Sequence, residues 1–189
     1  ECKAQVDGQD GAKYKSFETK EEATKAFEKG YEHYLKTASS SKAAAGLTPK
    51  TPVGKPIWES LCVDAACSGN PGNMEYRGVY PPTMQEIFRI GPLKKGTNNI
   101  GEFLALVHGL ALLKQKGSSL PIYSDSRNAI GWVKKKKCKT LLERVPENEP
   151  IFDMIERAEK WLKTNTYTTP ILKWETSEWG EIPADFGRK

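Results

Sequence analysis

Leu61-Cys62-Val63-Asp64-Ala65-Ala66-Cys67-Ser68-Gly69-Asn70-Pro71-Gly72-Asn73 is the stretch on which the reading of this sequence turns. Three apolar residues lead into a carboxylate, which predicts a buried strand that runs out at Asp64. Ser68 to Asn73 then bring together the residue types that reverse a chain, so a turn follows. Further strands are predicted over 76–80 and 85–90. A helix over 99–116 sets Phe103, Leu104, Val107, Leu110 and Ala111 on its inner side. Residues 120–123 form a short strand ending just before Asp125, and a helix over 126–133 follows at once. Pro150 opens a helix over 151–162, where Ile151, Met154, Ile155, Ala158 and Leu162 recur at helical spacing. A strand over 167–174 and a short helix after Pro183 complete the pattern. Strands first, then alternating helix and strand, predict an α/β fold with a mixed five-stranded sheet flanked by helices.

Upstream the composition changes. Residues 37–56 are rich in Ser, Ala, Gly, Pro and Lys and read as a flexible linker. Before them, residues 1–36 form a small appendage in which Thr19 and Glu22 make a capping box ahead of Ala23, Phe27, Tyr31 and Leu35. So few apolar residues make a weak core, and the appendage reads as part of a domain. The main domain takes residues 57–189.

With 38% hydrophobic residues the 189-residue chain can bury a core, and its length argues against a large barrel. Lys and Arg number 29 against 24 Asp and Glu, a net charge of +5 that suits a nucleic-acid partner without requiring one. No apolar run approaches the ~20 residues that cross a bilayer, and no basic segment with an apolar core opens the chain. The four cysteines lack zinc-like spacing, and Cys62 reads as a buried free thiol. The expectation is a cytoplasmic monomer with no membrane association.

Four carboxylates carry the chemical interest. Asp64 and Asp125 stand where strands end, Glu102 lies in the first turn of a helix, and Asp185 lies in the closing segment Pro183-Ala184-Asp185-Phe186-Gly187. If they converge, their mutual repulsion favours protonation unless divalent cations neutralise them. An oxygen-only ligand set favours magnesium or manganese over zinc. Each residue also has a plain reading: Asp64 or Asp125 as a turn former or cap, Glu102 as the partner of Asn99 in a capping box, Asp185 as a solvated tail residue.

The run 62–72 resembles the first signature of type 1 ribonucleases H. Thr97-Asn98-Asn99-Ile100-Gly101-Glu102 is similar to the second, Ile122-Tyr123-Ser124-Asp125-Ser126 to the third, and Ala184-Asp185-Phe186-Gly187-Arg188 to the fourth, an Asp in a closing helix. The resemblance spans residues 57–189 in order and register. It implies a ribonuclease H-like fold and cleavage of the RNA strand of RNA/DNA hybrids to 5′-phosphate and 3′-hydroxyl products. It implies further that Asp64, Glu102, Asp125 and Asp185 hold two Mg2+ or Mn2+ ions.

The same resemblance implies substrate contacts from Asn70, Thr97, Asn98 and Asn99, with Thr97 helping to seat a DNA phosphate. Asn70 has an equal reading as a turn residue, and Asn98 or Asn99 as a helix cap. Lys134-Lys135-Lys136-Lys137 stand where family members carry a basic protrusion that grips the DNA strand, and Trp132 serves there either as a stacking surface or as packing. Residues 1–8 and 11–17, with the helix start from Thr19 to Glu22, resemble the hybrid-binding domain found ahead of some ribonucleases H, with Tyr14, Lys15 and Ser16 at the backbone-contacting position. RNA/DNA hybrid is therefore the expected partner, with double-stranded RNA the second.

One departure stands out. Residues 174–181 lack the histidine that family members place before the final carboxylate, and the only histidines are His33 and His108. His108 reads as a packing or helix-surface residue. The departure predicts altered turnover and sets up the alternative of a catalytically weakened hybrid- or duplex-RNA-binding protein.

Overall fold

The computed structural model describes residues 54–187 and Thr24. The chain divides into two units, Glu1–Pro52 and Val53–Lys189, of which the second carries the fold below. Apart from Thr24, the expected appendage with Tyr14, Lys15 and His33, and the linker up to residue 53, lie outside the described residues.

Five strands form one sheet in the order β3-β2-β1-β4-β5. They are β1 (Leu61–Cys67), β2 (Gly72–Tyr80), β3 (Gln85–Gly96), β4 (Ile122–Ser124) and β5 (Ile171–Lys173). β1, β2 and β3 form an antiparallel meander, whereas β4 and β5 add to the other edge of β1 in parallel. The helices are α1 (Asn98–Gln115), α2 (Arg127–Lys134), α3 (Glu149–Thr164) and α4 (Thr176–Trp179). This is the mixed five-stranded α/β arrangement that the sequence predicts.

β1 is central and buried on both sides, which explains its nearly continuous apolar start. On one face Leu61, Val63 and Ala65 pack with Phe103, Leu106 and Leu110 of α1 and with Ile151, Ile155 and Leu162 of α3. On the other, Cys62 joins Val79, Tyr123, Trp174, Ile182 and Ala184 in a second, smaller core. There the Trp174 ring meets Tyr123 edge-on at 5.5 Å, and its Nε1 donates to the Gly180 carbonyl at 2.9 Å. The C-terminal segment is thereby folded against the sheet, the route by which Asp185 comes near β1.

Four expectations need correction. β1 does not run out at Asp64: its pairing with β2 continues from Cys62↔Val79 to Cys67↔Met74, so Asp64 is in mid-strand. β2 and β3 are longer than expected because they pair almost end to end, from Gly72↔Gly96 to Tyr80↔Gln85, through polar positions that hid them. β5 is confined to Ile171–Lys173, since only these residues find partners on β4. The short helix lies at Thr176–Trp179, ahead of Pro183; Pro183 and Ala184 make a turn, and Asp185 follows in irregular chain rather than in a closing helix. Among the described residues no helix is long and apolar enough to cross a membrane.

Candidate active site

Parallel pairing of β1 and β4 sets Leu61 opposite Ile122 and Cys62 opposite Tyr123, so Asp64 and Asp125 emerge side by side. Glu102 reaches them from α1. Gly101 makes this approach possible, because a Cβ there would fall 2.6 Å from the Ala65 side chain. Each of Asp64, Glu102 and Asp125 offers a carboxylate oxygen within 4.8 Å of the others. Asp185 and Phe186 line the same cleft of about 450 Å³, with Asn98 and Ser68 at its margin. The four carboxylates predicted from sequence therefore meet around one cleft, three of them as a tight cluster.

Glu102 is not in the first helical turn and makes no capping box with Asn99. Thr97 caps the helix, its hydroxyl accepting from the Ile100 amide at 3.4 Å, and neither Asn98 nor Asn99 does so. Asn98 turns instead toward Glu102, donating from Nδ2 to Oε1 at 2.9 Å. Ser126, the cap of α2, accepts from the Ala129 amide at 3.1 Å and also hydrogen-bonds to Glu102. Glu102 is held from two sides, leaving Oε2 buried without a partner; Asp125 Oδ1 is in the same condition.

Burial of mutually repelling carboxylates raises their proton affinity. Asp64 is pushed up to about 8, first by burial and then by the charges of Asp125, Glu102 and Asp185. Burial is also the chief cause for Glu102, pushed up to about 7 and restrained by the Ser126 hydrogen bond. Asp125 is raised by burial, with the Lys173 ammonium opposing. Orphaned oxygens in a negative, oxygen-only cluster are the donor set of a hard divalent cation, and a cation there would relieve both the repulsion and the missing hydrogen bonds.

A second cavity of about 420 Å³ is lined by Asn70, Pro71, Thr97, Asn99, Trp132, Lys139 and Thr140, among others. It gathers three of the four Asn and Thr side chains expected to touch substrate; Asn98 lies on the acidic cleft instead. Trp132 combines both of its readings, packing edge-on against Phe103 at 6.2 Å while lining this cavity. Lys139, two residues beyond the basic run, lines the cavity. Lys134, Lys135 and Lys136 are exposed at the end of α2, and Lys137 pairs with the buried Glu159 at 2.9 Å. His108 stacks on Phe88 at 4.0 Å between ring centroids, a packing residue as expected.

Sequence reasoning missed Arg77, whose Nε donates to the Ala184 carbonyl at 2.9 Å and whose Nη2 donates to that of Asp185 at 2.6 Å. An Arg amid a strand carries no local signal of this, since its partners lie more than 100 residues away in sequence.

Residues 1–27 match the Ribonuclease H1 N-terminal domain and residues 59–173 match RNase H. Ribonuclease H of Rhodopirellula baltica is 41% identical over 75 residues, covering 39% of this chain and 46% of that protein. Ribonuclease H of Rippkaea orientalis is 33% identical over 102 residues, covering 51% of this chain and 62% of that protein. The chain thus spans less than two thirds of the length of either relative. The crystal structure of LC11-RNase H1 in complex with an RNA/DNA hybrid aligns at a TM-score of 0.38 and 18% identity, over 62% of this chain and 86% of that one. The match to RNase H encloses all five strands and takes in Asp64, Glu102 and Asp125; the chain belongs to the RNase H family.

Proposed function

We propose that this chain is a metal-dependent endoribonuclease that hydrolyses the RNA strand of RNA/DNA hybrids, leaving 5′-phosphate and 3′-hydroxyl ends. The observation that carries the proposal is the cluster of Asp64, Glu102 and Asp125 oxygens within 4.8 Å, together with a buried, unpartnered oxygen on each of Glu102 and Asp125. Asp64, Glu102 and Asp125, with Asp185 on the same cleft, would hold two Mg2+ or Mn2+ ions. Bound there, the ions would supply Lewis-acid activation of water and charge neutralisation at the leaving 3′ oxygen.

The chain's own residues divide the remaining work. Asn98 and Ser126 hold the Glu102 carboxylate at the cleft, and its Oε2 keeps no hydrogen-bond partner. The second cavity, reached across the turn at Ser68–Asn70 and the start of α1, offers hydroxyl, amide and ammonium donors from Thr97, Asn70, Asn99 and Lys139. Such donors suit a phosphate of the DNA strand, while Trp132 offers an aromatic face to a sugar or base. A hybrid specialist must find 2′-hydroxyls on one strand and reject them on the other, and separate sites for the two strands meet that need. Residues 1–36 are proposed as part of a hybrid-binding domain that uses Tyr14 and Lys15, joined by a linker over 37–56 to a catalytic domain over 57–189; the match over residues 1–27 supports this division.

Labelled RNA/DNA hybrid, double-stranded RNA and double-stranded DNA incubated with each metal test the proposal. The hybrid is cut in its RNA strand, and Asp64→Asn abolishes cutting while binding persists. The absence of histidine at 174–181 favours one rival, a hybrid- or duplex-RNA-binding protein of weakened activity. Cleavage no faster than that of Asp64→Asn would establish the rival.

A further inference from the structure

The segment carrying Asp185 has no helix to aim it, yet Asp185 lines the acidic cleft. We infer that Arg77 is the residue that positions Asp185, gripping the main chain of the C-terminal segment from the neighbouring strand. The inference rests on the reading of Asp185 as part of the catalytic cleft.

The sheet register prepares the grip. Asp64 lies opposite Arg77 across β1 and β2, and Arg77 lies opposite Arg89 across β2 and β3. Directly opposed residues project from the same face of a sheet, so one row runs acid, arginine, arginine away from the cleft. The Arg77 guanidinium reaches two successive carbonyls, Ala184 at 2.9 Å through Nε and Asp185 at 2.6 Å through Nη2. Its Nη1 donates to Glu86 at 3.3 Å. A planar fork with several donors can satisfy consecutive carbonyls together; a lysine ammonium has no such geometry.

Phe186 completes the arrangement. Its ring lies under both guanidinium groups, 4.8 Å from Arg77 and 5.3 Å from Arg89, a cation–π contact on each. Arg89 is fixed in turn by the buried Glu75 carboxylate, to which its Nε donates at 2.9 Å. Two arginines directly opposed on a sheet repel, so this pair needs its compensation, which Glu75, Glu86 and the Phe186 ring provide. Burial of Ile182 and Ala184 anchors the segment to the sheet. The hydrogen bonds at the two carbonyls then set where the chain turns as Asp185 leaves it.

The test compares the full chain with Arg77→Ala, Arg77→Lys, Phe186→Leu, Asp185→Asn and the double variant Arg77→Ala/Asp185→Asn. Cleavage of hybrid is measured across a manganese titration, and hydrogen exchange of the peptide covering 182–187 is measured on metal-free protein. Arg77→Ala is expected to lose activity on the order of 10- to 100-fold, with a raised half-saturating metal concentration. The double variant should then be no worse than Asp185→Asn alone, because one residue acts through the other. Exchange at 182–187 should quicken in Arg77→Ala and in Phe186→Leu, the latter leaving the strand untouched, and Arg77→Lys should not rescue. Losses that multiply in the double variant, unchanged exchange at 182–187, or full activity in Arg77→Ala beside a crippled Asp185→Asn would each overturn the inference. Full activity in Asp185→Asn would be a separate failure, removing the role of Asp185 on which the inference stands.

Discussion

Asp64 bears the heaviest electrostatic load in the cleft, because it is buried in mid-strand and faces three other carboxylates. Its pKa is pushed from 3.8 to about 8, so over that interval the folded chain holds a proton that the unfolded chain has released. Metal-free stability therefore falls as pH rises through the window, and Glu102, pushed from 4.5 to about 7, acts in the same direction. Chelator-treated protein should melt at a lower temperature near pH ~9 than near pH ~6, with added Mg2+ restoring most at the alkaline end. Asp64→Asn should narrow that difference while cutting hybrid cleavage by on the order of 100-fold or more. A melting temperature indifferent to pH and metal would show that the carboxylates are not coupled in the folded chain. Asn98 acts at this scale too. Asn98→Ala frees Glu102 Oε1 from its 2.9 Å hydrogen bond, and activity should drop about 10-fold with little change in melting temperature.

Helix α1 sets the cleft because it lies close on the sheet, and Gly101 is where it touches. A Cβ at this position would stand 2.6 Å from the Ala65 side chain and 3.2 Å from that of Met74, so Gly101→Ala must push the helix start away from β1. Overpacking of this kind costs about 1–3 kcal/mol, and since Glu102 is the next residue, activity should fall further than stability explains. Activity retained alongside a lowered melting temperature would show that the helix absorbs the strain elsewhere. The same elements show what was legible in the sequence. α1 and α3 announce themselves by apolar residues at helical spacing, and β1 by its apolar run, because these patterns record burial against immediate neighbours. β2 and β3 concealed their length: Glu75, Arg77 and Arg89 are polar by residue type, yet they serve contacts with one another and with the far end of the chain. Asp185 was legible as a candidate through its resemblance, whereas its irregular setting was not, since long-range packing of Ile182 and Ala184 determines it. Thr97 was legible as part of a signature, but its capping role depends on which of three consecutive polar residues first takes extended backbone.

At the scale of the molecule the question is where the net charge of +5 acts. Four carboxylates line the cleft, while the end of α2 and the segment after it display Lys134, Lys135, Lys136 and Lys139 to solvent. The lysine run is not uniform. Lys137 is already paired with Glu159, a buried carboxylate that also accepts from the Cys138 amide at 3.0 Å. Lys139 lines the cavity shared by Thr97, Asn70 and Trp132, where the proposed function places a phosphate of the DNA strand. Removing one lysine–phosphate interaction should reduce the steepness of log affinity against log salt by about 0.7–0.9. Lys139→Gln should therefore flatten that slope by nearly the full effect of a single phosphate, and substituting Lys134, Lys135 and Lys136 together should flatten it further. Lys137→Gln should leave the slope nearly unchanged and lower the melting temperature instead, since it removes one of the partners of a buried charge. Metal dependence of cleavage should be the same in all of these variants, because none of the lysines lines the acidic cleft. Equal slopes for Lys137→Gln and Lys139→Gln would mean that the run acts as an undifferentiated cloud of charge and that the cavity does not seat a phosphate.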